Sequence, residues 1–263
     1  MGPHSNGDDA DIRDMTPFPA DFYRLYEGLP QQGPGSDALT LRALGSIQPL
    51  PPSPRVLDLG CGSGRQTLAL ARALRTRVLA IDNHEPFLRE LERRAAGASL
   101  GPLVETRCAD MGSPGLAPGT FDLVWSEGAI YILGFADGLR AWRPLLAPGG
   151  HLAVSECSWL VEERPAEIAA FWQAAYPTMG SIPANCETAG RAGFEVLDAF
   201  PLPPSAWWDD YYRPLLARVE ELEPEARHNE VLAGAIAEVR QEVELFERFG
   251  ATYGYVFYVC RKS

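Results

Sequence analysis

Short apolar runs alternate with segments of helical periodicity along most of the chain. Arg55-Val-Leu-Asp-Leu59 is an apolar run that ends in glycines, and Gln66 to Leu74 then carries apolar residues at helical spacing. Val78-Leu-Ala-Ile81 is a second run, stopped by Asp82, and Pro86 to Ala96 reads as a helix. Leu103 to Cys108 reads as a third strand and Phe121-Asp-Leu-Val-Trp125 as a fourth. Leu139 to Leu146 is helical and closes at Pro148-Gly-Gly150, after which His151-Leu-Ala-Val-Ser155 is a fifth run. Such runs, bounded by turn residues, predict buried strands. Their alternation with helices predicts an α/β fold, a doubly wound parallel sheet covered on both faces.

The rhythm differs at both ends. Residues 1–16 have the composition of a disordered tail. Residues 17–54 predict an N-terminal helical lid: Phe22, Leu25 and Tyr26 share one helical face, Leu29-Pro-Gln-Gln-Gly-Pro-Gly35 interrupts it, and Ser36 or Asp37 can cap a second helix. The α/β core is expected over 55–158. Residues 159–192 and 204–250 predict an inserted helical cap, with Leu232, Ile236, Val239, Val243 and Phe246 on one helix face before Gly250. Residues 193–203 and 251–263 hold the closing strands, Phe194 to Phe200 and Tyr253 to Val259.

Composition narrows the function classes. The 263 residues are 46% hydrophobic and 22% charged, as in an ordinary globular protein, with a formal net charge of −12. No cluster of Lys and Arg marks a nucleic-acid surface, and no apolar run has the ~18 residues of a membrane span. The first residues do not read as a signal peptide. The five cysteines are scattered, with no Cys-x-x-Cys and no His-x-x-x-His. Neither a disulfide framework nor a metal site is expected, and a cytoplasmic location fits best. Trp159, Trp172, Trp207, Trp208, Tyr211 and Tyr212 crowd the cap. They suit either an aromatic pocket or a homodimer interface, and both readings stay open.

The chemistry concentrates in Asp58-Leu-Gly-Cys-Gly-Ser-Gly64, between the first strand and its helix. Glycines there allow a sharp turn and close approach of a ligand, and the helix start adds free N–H groups. The dinucleotide fingerprint G-x-G-x-x-G would place its third glycine at position 65, which is Arg65; here it is Gly64. Asp58, two residues before the first glycine, would repel a diphosphate and suit the ammonium of an amino-acid ligand. The reading therefore moves from NAD toward S-adenosylmethionine. Asp82, 22 positions after Gly60, can accept hydrogen bonds from ribose hydroxyls. Asn83 and Phe87 can border the ribose and adenine. Gln66 and Thr67 can meet a carboxylate.

Val56-Leu-Asp-Leu-Gly-Cys-Gly-Ser-Gly64 resembles the first motif of class I S-adenosylmethionine-dependent methyltransferases. The resemblance continues through Asp82, Asp110, the Phe121–Trp125 strand and the Leu146-Ala-Pro-Gly-Gly150 turn. It is narrower toward bacterial ubiquinone/menaquinone-methyltransferase-like proteins, through Leu29 to Gly35 and Trp125 to Tyr131. It implies a Rossmann-like sheet of seven strands, the last antiparallel between the fifth and sixth. It also implies that Asp110 binds the adenine amino group, that Met111 packs on the ring, and that Ser126 and Glu127 pass the methionine part. The expected cofactor site is thus Asp58, Gly60, Gly62, Gly64, Gln66, Thr67, Asp82, Asn83, Phe87, Asp110, Met111, Ser126 and Glu127. Tyr23, Tyr26, Gln32 and Gly33 of the lid complete it.

Glu127 and Tyr131 are the candidate catalytic residues. Glu127 can orient an amine, act as a general base, or serve only as a structural acceptor; Glu156 is a second carboxylate at the same sheet edge. Methyl transfer to a small-molecule acceptor is the expected reaction. An NAD-linked oxidoreductase and a non-catalytic S-adenosylmethionine-binding module remain as alternatives.

Overall fold

Four successive buried residues make Val56–Leu59 a central strand, β1. Around it the computed structural model, which describes residues 20–263, arranges β2 (Val78–Asp82), β3 (Val104–Cys108), β4 (Phe121–Glu127), β5 (Leu146–Trp159), β6 (Phe194–Pro201) and β7 (Tyr253–Lys262). The expected tail over 1–16 lies outside the described residues. The sheet order is β3-β2-β1-β4-β5-β7-β6, with β7 antiparallel to both neighbours and the first five strands parallel. The seven-stranded Rossmann-like order implied by the resemblance is the observed one.

The helices are α1 (Ala20–Arg24), α2 (Asp37–Gly45), α3 (Arg65–Leu74), α4 (Glu85–Gly97), α5 (Phe135–Trp142), α6 (Ala166–Ala175), α7 (Ile182–Arg191), α8 (Pro204–Trp207), α9 (Arg213–Ala226) and α10 (Glu230–Phe249). The Ser36 hydroxyl caps α2 by accepting from the Leu39 N–H. One sheet face packs on α2 and α3 through Ala43, Leu70, Ala71 and Trp125. The opposite face packs on α5 and α7 through Leu139, Trp142 and Ala189.

Three boundaries differ from expectation. The helix expected over 139–146 lies earlier, at Phe135–Trp142, because Phe135, Leu139 and Trp142 form its buried stripe. Pro144 then permits only a 3₁₀ turn over Arg143–Leu145. β5 spans the Pro148–Gly150 turn and continues past Ser155 to Trp159, because β7 pairs with it residue by residue from His151 to Trp159. The cap also has other members than expected: α7 covers β6 and α5, whereas Leu25 and Leu29 of the N-terminal segment join α6 and α8–α10. The cap core seats Trp159, Trp207, Tyr211, Tyr212 and Tyr253 over the C-terminal ends of the strands. A π-helical turn at Trp208–Tyr212 links α8 to α9.

Candidate active site

β1 ends where the chain must turn back into α3, and Gly60, Gly62 and Gly64 all adopt positive φ there. Sterics fix two of these glycines as firmly as dihedrals do. A Cβ on Gly60 would lie 2.4 Å from the Ala129 Cβ, and one on Gly64 2.1 Å from the Leu91 Cδ1. The N-terminal segment closes onto the loop. Gln32 Oε1 accepts from the Ser63 N–H at 2.7 Å, and Gln32 Nε2 donates to the Tyr26 carbonyl. Arg94 from α4 ties the same segment down, donating to the Pro30 and Leu29 carbonyls and to Ser63 Oγ.

A cavity of about 870 Å³ runs from this loop to the cap. At the loop end it is lined by Gly60, Gly62, Gln66, Asp82, Asn83, Phe87, Asp110, Met111 and Glu127, and the lid adds Tyr23, Tyr26, Gln32 and Gly33. Asp82 accepts from the Gly62 N–H at 2.8 Å and from the His84 N–H at 2.9 Å, so the second strand braces the loop. Burial raises its carboxyl pKa, partly offset by those N–H donors. Tyr23 stacks on His84 with ring centroids 4.0 Å apart and meets Phe87 edge-on. Asp110 accepts from the Gly112 N–H, and the Met111 carbonyl is held by the Trp142 indole.

Four expected contacts stand behind the wall rather than on it: Asp58, Gly64, Thr67 and Ser126. Asp58 is fully buried and accepts from Thr67 Oγ1 at 2.6 Å and Gln66 Nε2 at 3.5 Å. Burial pushes its carboxyl up to about 7, against the pull of the Thr67 donor. Its position makes it a brace for the start of α3, and Gln66 carries that order to the wall. Gly64 is needed for packing against Leu91. Ser126 points into the sheet, with its Oγ buried and lacking a hydrogen-bond partner.

Glu127 lines the cavity, but both its oxygens are occupied. Oε1 accepts from Thr40 Oγ1 at 2.6 Å and from the Trp125 indole at 2.8 Å, while Oε2 pairs with Arg65 at 2.5 Å. Arg65 also reaches Asp37 and Thr40. Three donors on a carboxylate with about four acceptor sites make Glu127 a structural acceptor, and one lone pair of Oε2 remains for a further partner. Tyr131 lies at the far end, its ring edge-on to Tyr176. It is 40% exposed, toward the apolar cavity, and desolvation there followed by the Glu242 charge pushes its hydroxyl to about 12. It is therefore a proton-bearing donor at neutral pH. Glu156 is off the cavity wall, 1% exposed, with Oε2 unpartnered; burial raises its carboxyl to about 8.

The cap end of the cavity is lined by Phe171, Trp172, Tyr176, Trp207, Tyr211, Tyr255, Glu238 and Glu242. The crowded aromatics thus divide into a pocket wall (Trp172, Trp207, Tyr211) and core packing (Trp159, Trp208, Tyr212). Trp159, Trp207, Tyr211 and Tyr212 are buried within the chain, whereas Trp172 and Trp208 are partly exposed. Arg65 and Glu242 are wall residues that sequence reading did not single out. Arg65 is the first side chain after the last glycine. Glu242 follows Ala235 and Glu238 at helical spacing beside the apolar stripe of α10, a signal readable only once the stripe's neighbour is known.

Residues 56–150 match the family described as "Methyltransferase domain". Over 107 residues the chain is 35% identical to the biotin biosynthesis bifunctional protein BioCD of Bordetella avium, covering 40% of this chain and 22% of that one. Over 116 residues it is 35% identical to the trans-aconitate 2-methyltransferase of Deinococcus radiodurans, covering 43% of this chain and 42% of that one. The chain spans less than half the length of these curated relatives. Its fold matches the crystal structure of a SAM-dependent methyltransferase from Geobacter sulfurreducens in complex with S-adenosyl-L-homocysteine. The TM-score is 0.79 at 19% identity, over 93% of this chain and 98% of that one. Residues 56–150 thus match a methyltransferase domain, and the chain around them shares the Rossmann-like fold of that structure.

Proposed function

We propose that the protein transfers a methyl group from S-adenosylmethionine to a small-molecule acceptor seated under the cap. One observation carries this reading. A single cavity joins the glycine loop, Asp82 and Asp110 at one end to an aromatic chamber at the other. The loop end fits the cofactor: glycines leave room for close approach, Asp82 stands where a ribose diol needs an acceptor, and Met111 and Phe87 offer apolar faces for adenine. Arg65 beside Glu127 suits an amino-acid end carrying both charges. The wall carries Asp82, Asp110 and Glu127 against Arg65 alone, a poor setting for a diphosphate, which counts against the NAD-linked alternative.

The sulfonium of the cofactor supplies an electrophilic methyl group. The protein's part is to exclude water, orient the acceptor and keep the lid shut, and such positioning alone can account for much of a rate enhancement. Glu127 positions Arg65 and Thr40, and the Tyr131 hydroxyl, protonated at neutral pH, is a donor available at the cavity wall. Five cysteines that remain thiols support a cytoplasmic setting for this activity.

The test is incubation with methyl-labelled S-adenosylmethionine and a panel of amines, thiols, phenols and carboxylates. Label should reach at least one acceptor with one S-adenosylhomocysteine formed per transfer. Cofactor binding without transfer to any of them would favour the non-catalytic module.

A further inference from the structure

We infer that the acceptor is a small cationic amine, a conclusion that rests on the methyltransferase reading and narrows it. The cap end of the cavity presents the rings of Tyr26, Tyr131, Trp172, Tyr211 and Tyr255, with Glu242 among them and Glu238 at its exposed rim. Among the described residues that line the cavity, Arg65 is the one cation, and it lies at the loop end, paired with Glu127 and Asp37. Among the described lining residues, the acceptor end therefore holds carboxylates and electron-rich rings and no cationic side chain.

Glu242 is oriented for this role. Its Oε1 accepts from the Tyr212 hydroxyl at 2.8 Å, which fixes the carboxyl against the chamber. Burial raises the Glu242 carboxyl, and an ammonium seated beside it would favour its ionised form; burial first and the Glu242 charge next raise the Tyr26 hydroxyl on the same wall. Ring faces attract a cation through their quadrupole, by about 0.5–2 kcal/mol each depending on desolvation. A carboxylate acceptor would face Glu242 and Glu238 with nothing to neutralise it. The acidic substrate named for the Deinococcus relative is therefore a poor fit here.

Transfer then balances simply. The amine, bound as its cation, gives up a proton to Glu242 or to solvent. Its nitrogen lone pair forms the new bond to the methyl carbon as the carbon–sulfur bond breaks, and that electron pair stays on sulfur. The positive charge passes from sulfur to nitrogen, and the product ammonium occupies the same aromatic wall.

Calorimetric titration of the protein saturated with S-adenosylhomocysteine tests this with three probes of one shape: choline, its neutral isostere 3,3-dimethylbutan-1-ol, and 3,3-dimethylbutanoate. Choline should bind at least tenfold more tightly than the alcohol, and the carboxylate most weakly. Glu242→Gln should bring the choline-to-alcohol ratio to within about threefold, and Trp172→Leu should weaken choline several-fold if Glu242→Gln does not fold. Equal binding of choline and the alcohol by the unaltered protein, or a preference for the carboxylate, overturns the inference. A chain that never binds S-adenosylhomocysteine would instead undo the methyltransferase reading beneath it.

Discussion

At the residue scale, the site separates side chains that meet the cavity from those that hold them. Asp82 does both, since it braces Gly62 and lines the cavity. Asp82→Ala should cost about 2 kcal/mol of cofactor binding, roughly a thirtyfold rise in the dissociation constant for S-adenosylhomocysteine. An unchanged constant with an intact fold would remove Asp82 from the site. Glu127 is the contrasting case. Its replacement by Gln leaves Arg65 half-paired in a side-chain environment only 15% exposed. The expected loss of folding stability is on the order of 2 kcal/mol, below the range for a sealed pair because Asp37 remains. Turnover should show a raised KM for the cofactor and an unshifted pH profile of kcat. A lost limb in that profile would restore Glu127 as a base. The place of Gly60, Gly62, Asp82 and Asp110 on the cavity wall was legible in the sequence because a strand-end turn is a local feature. Asp58 was legible as important but not as a brace, because its direction depends on Thr67 reaching back from α3. Glu242 was invisible because its role depends on which element its helix face meets.

At the element scale, the central strands announced themselves through short, mostly apolar runs and the start of α3 through its glycines, whereas β3, Val-Glu-Thr-Arg-Cys, is polar and part-exposed because it lies at the sheet edge. β5 was underestimated because its last residues, Glu156 and Ser158, are polar and are drawn into the sheet by pairing with a distant strand. The cap was misdivided for the same reason: amphipathic spacing identifies a helix without naming the surface it covers, and α7 covers the sheet. The tightest joint between elements is Gly64 against Leu91. Gly64→Ala combines a φ of +77° with a Cβ 2.1 Å from the Leu91 Cδ1. The expected destabilisation is about 2–4 kcal/mol, read as a lower midpoint in urea, with loss of cofactor binding at temperatures where the chain remains folded. Leu91→Ala on the same background should relieve the clash though not the backbone strain. A second change that gives no recovery would show that packing is not the reason for the glycine.

At the scale of the whole molecule, folding gathers acidic groups into places that disfavour their charge. Glu156 titrates near 8 in the folded chain against an ordinary value of 4.5. A carboxyl raised in this way stays protonated in the folded state while the unfolded chain releases its proton. Its effect on stability is therefore absent at low pH and grows more unfavourable as pH rises from about 4.5 to about 8, then levels. At pH 7 the penalty is about 3 kcal/mol. Asp58, raised to about 7, acts in the same direction. The midpoint of thermal unfolding of the ligand-free protein should fall between pH 5 and pH 8, and Glu156→Gln should flatten that slope. A variant profile parallel to that of the unaltered protein would exclude Glu156 as a source of it. Among the described residues no helix is long and apolar enough to cross a membrane. The molecule's organisation is a sheet whose strand ends open into a cavity lined on its other sides by the N-terminal segment and the aromatic helices.

That organisation makes the identity of the bound cofactor the most direct point of attack. Calorimetric titration of the whole chain with S-adenosylhomocysteine and, separately, with NADH should give one saturable site for the first and no measurable heat of binding for the second. Saturable binding of NADH with no response to S-adenosylhomocysteine would contradict the account at its base.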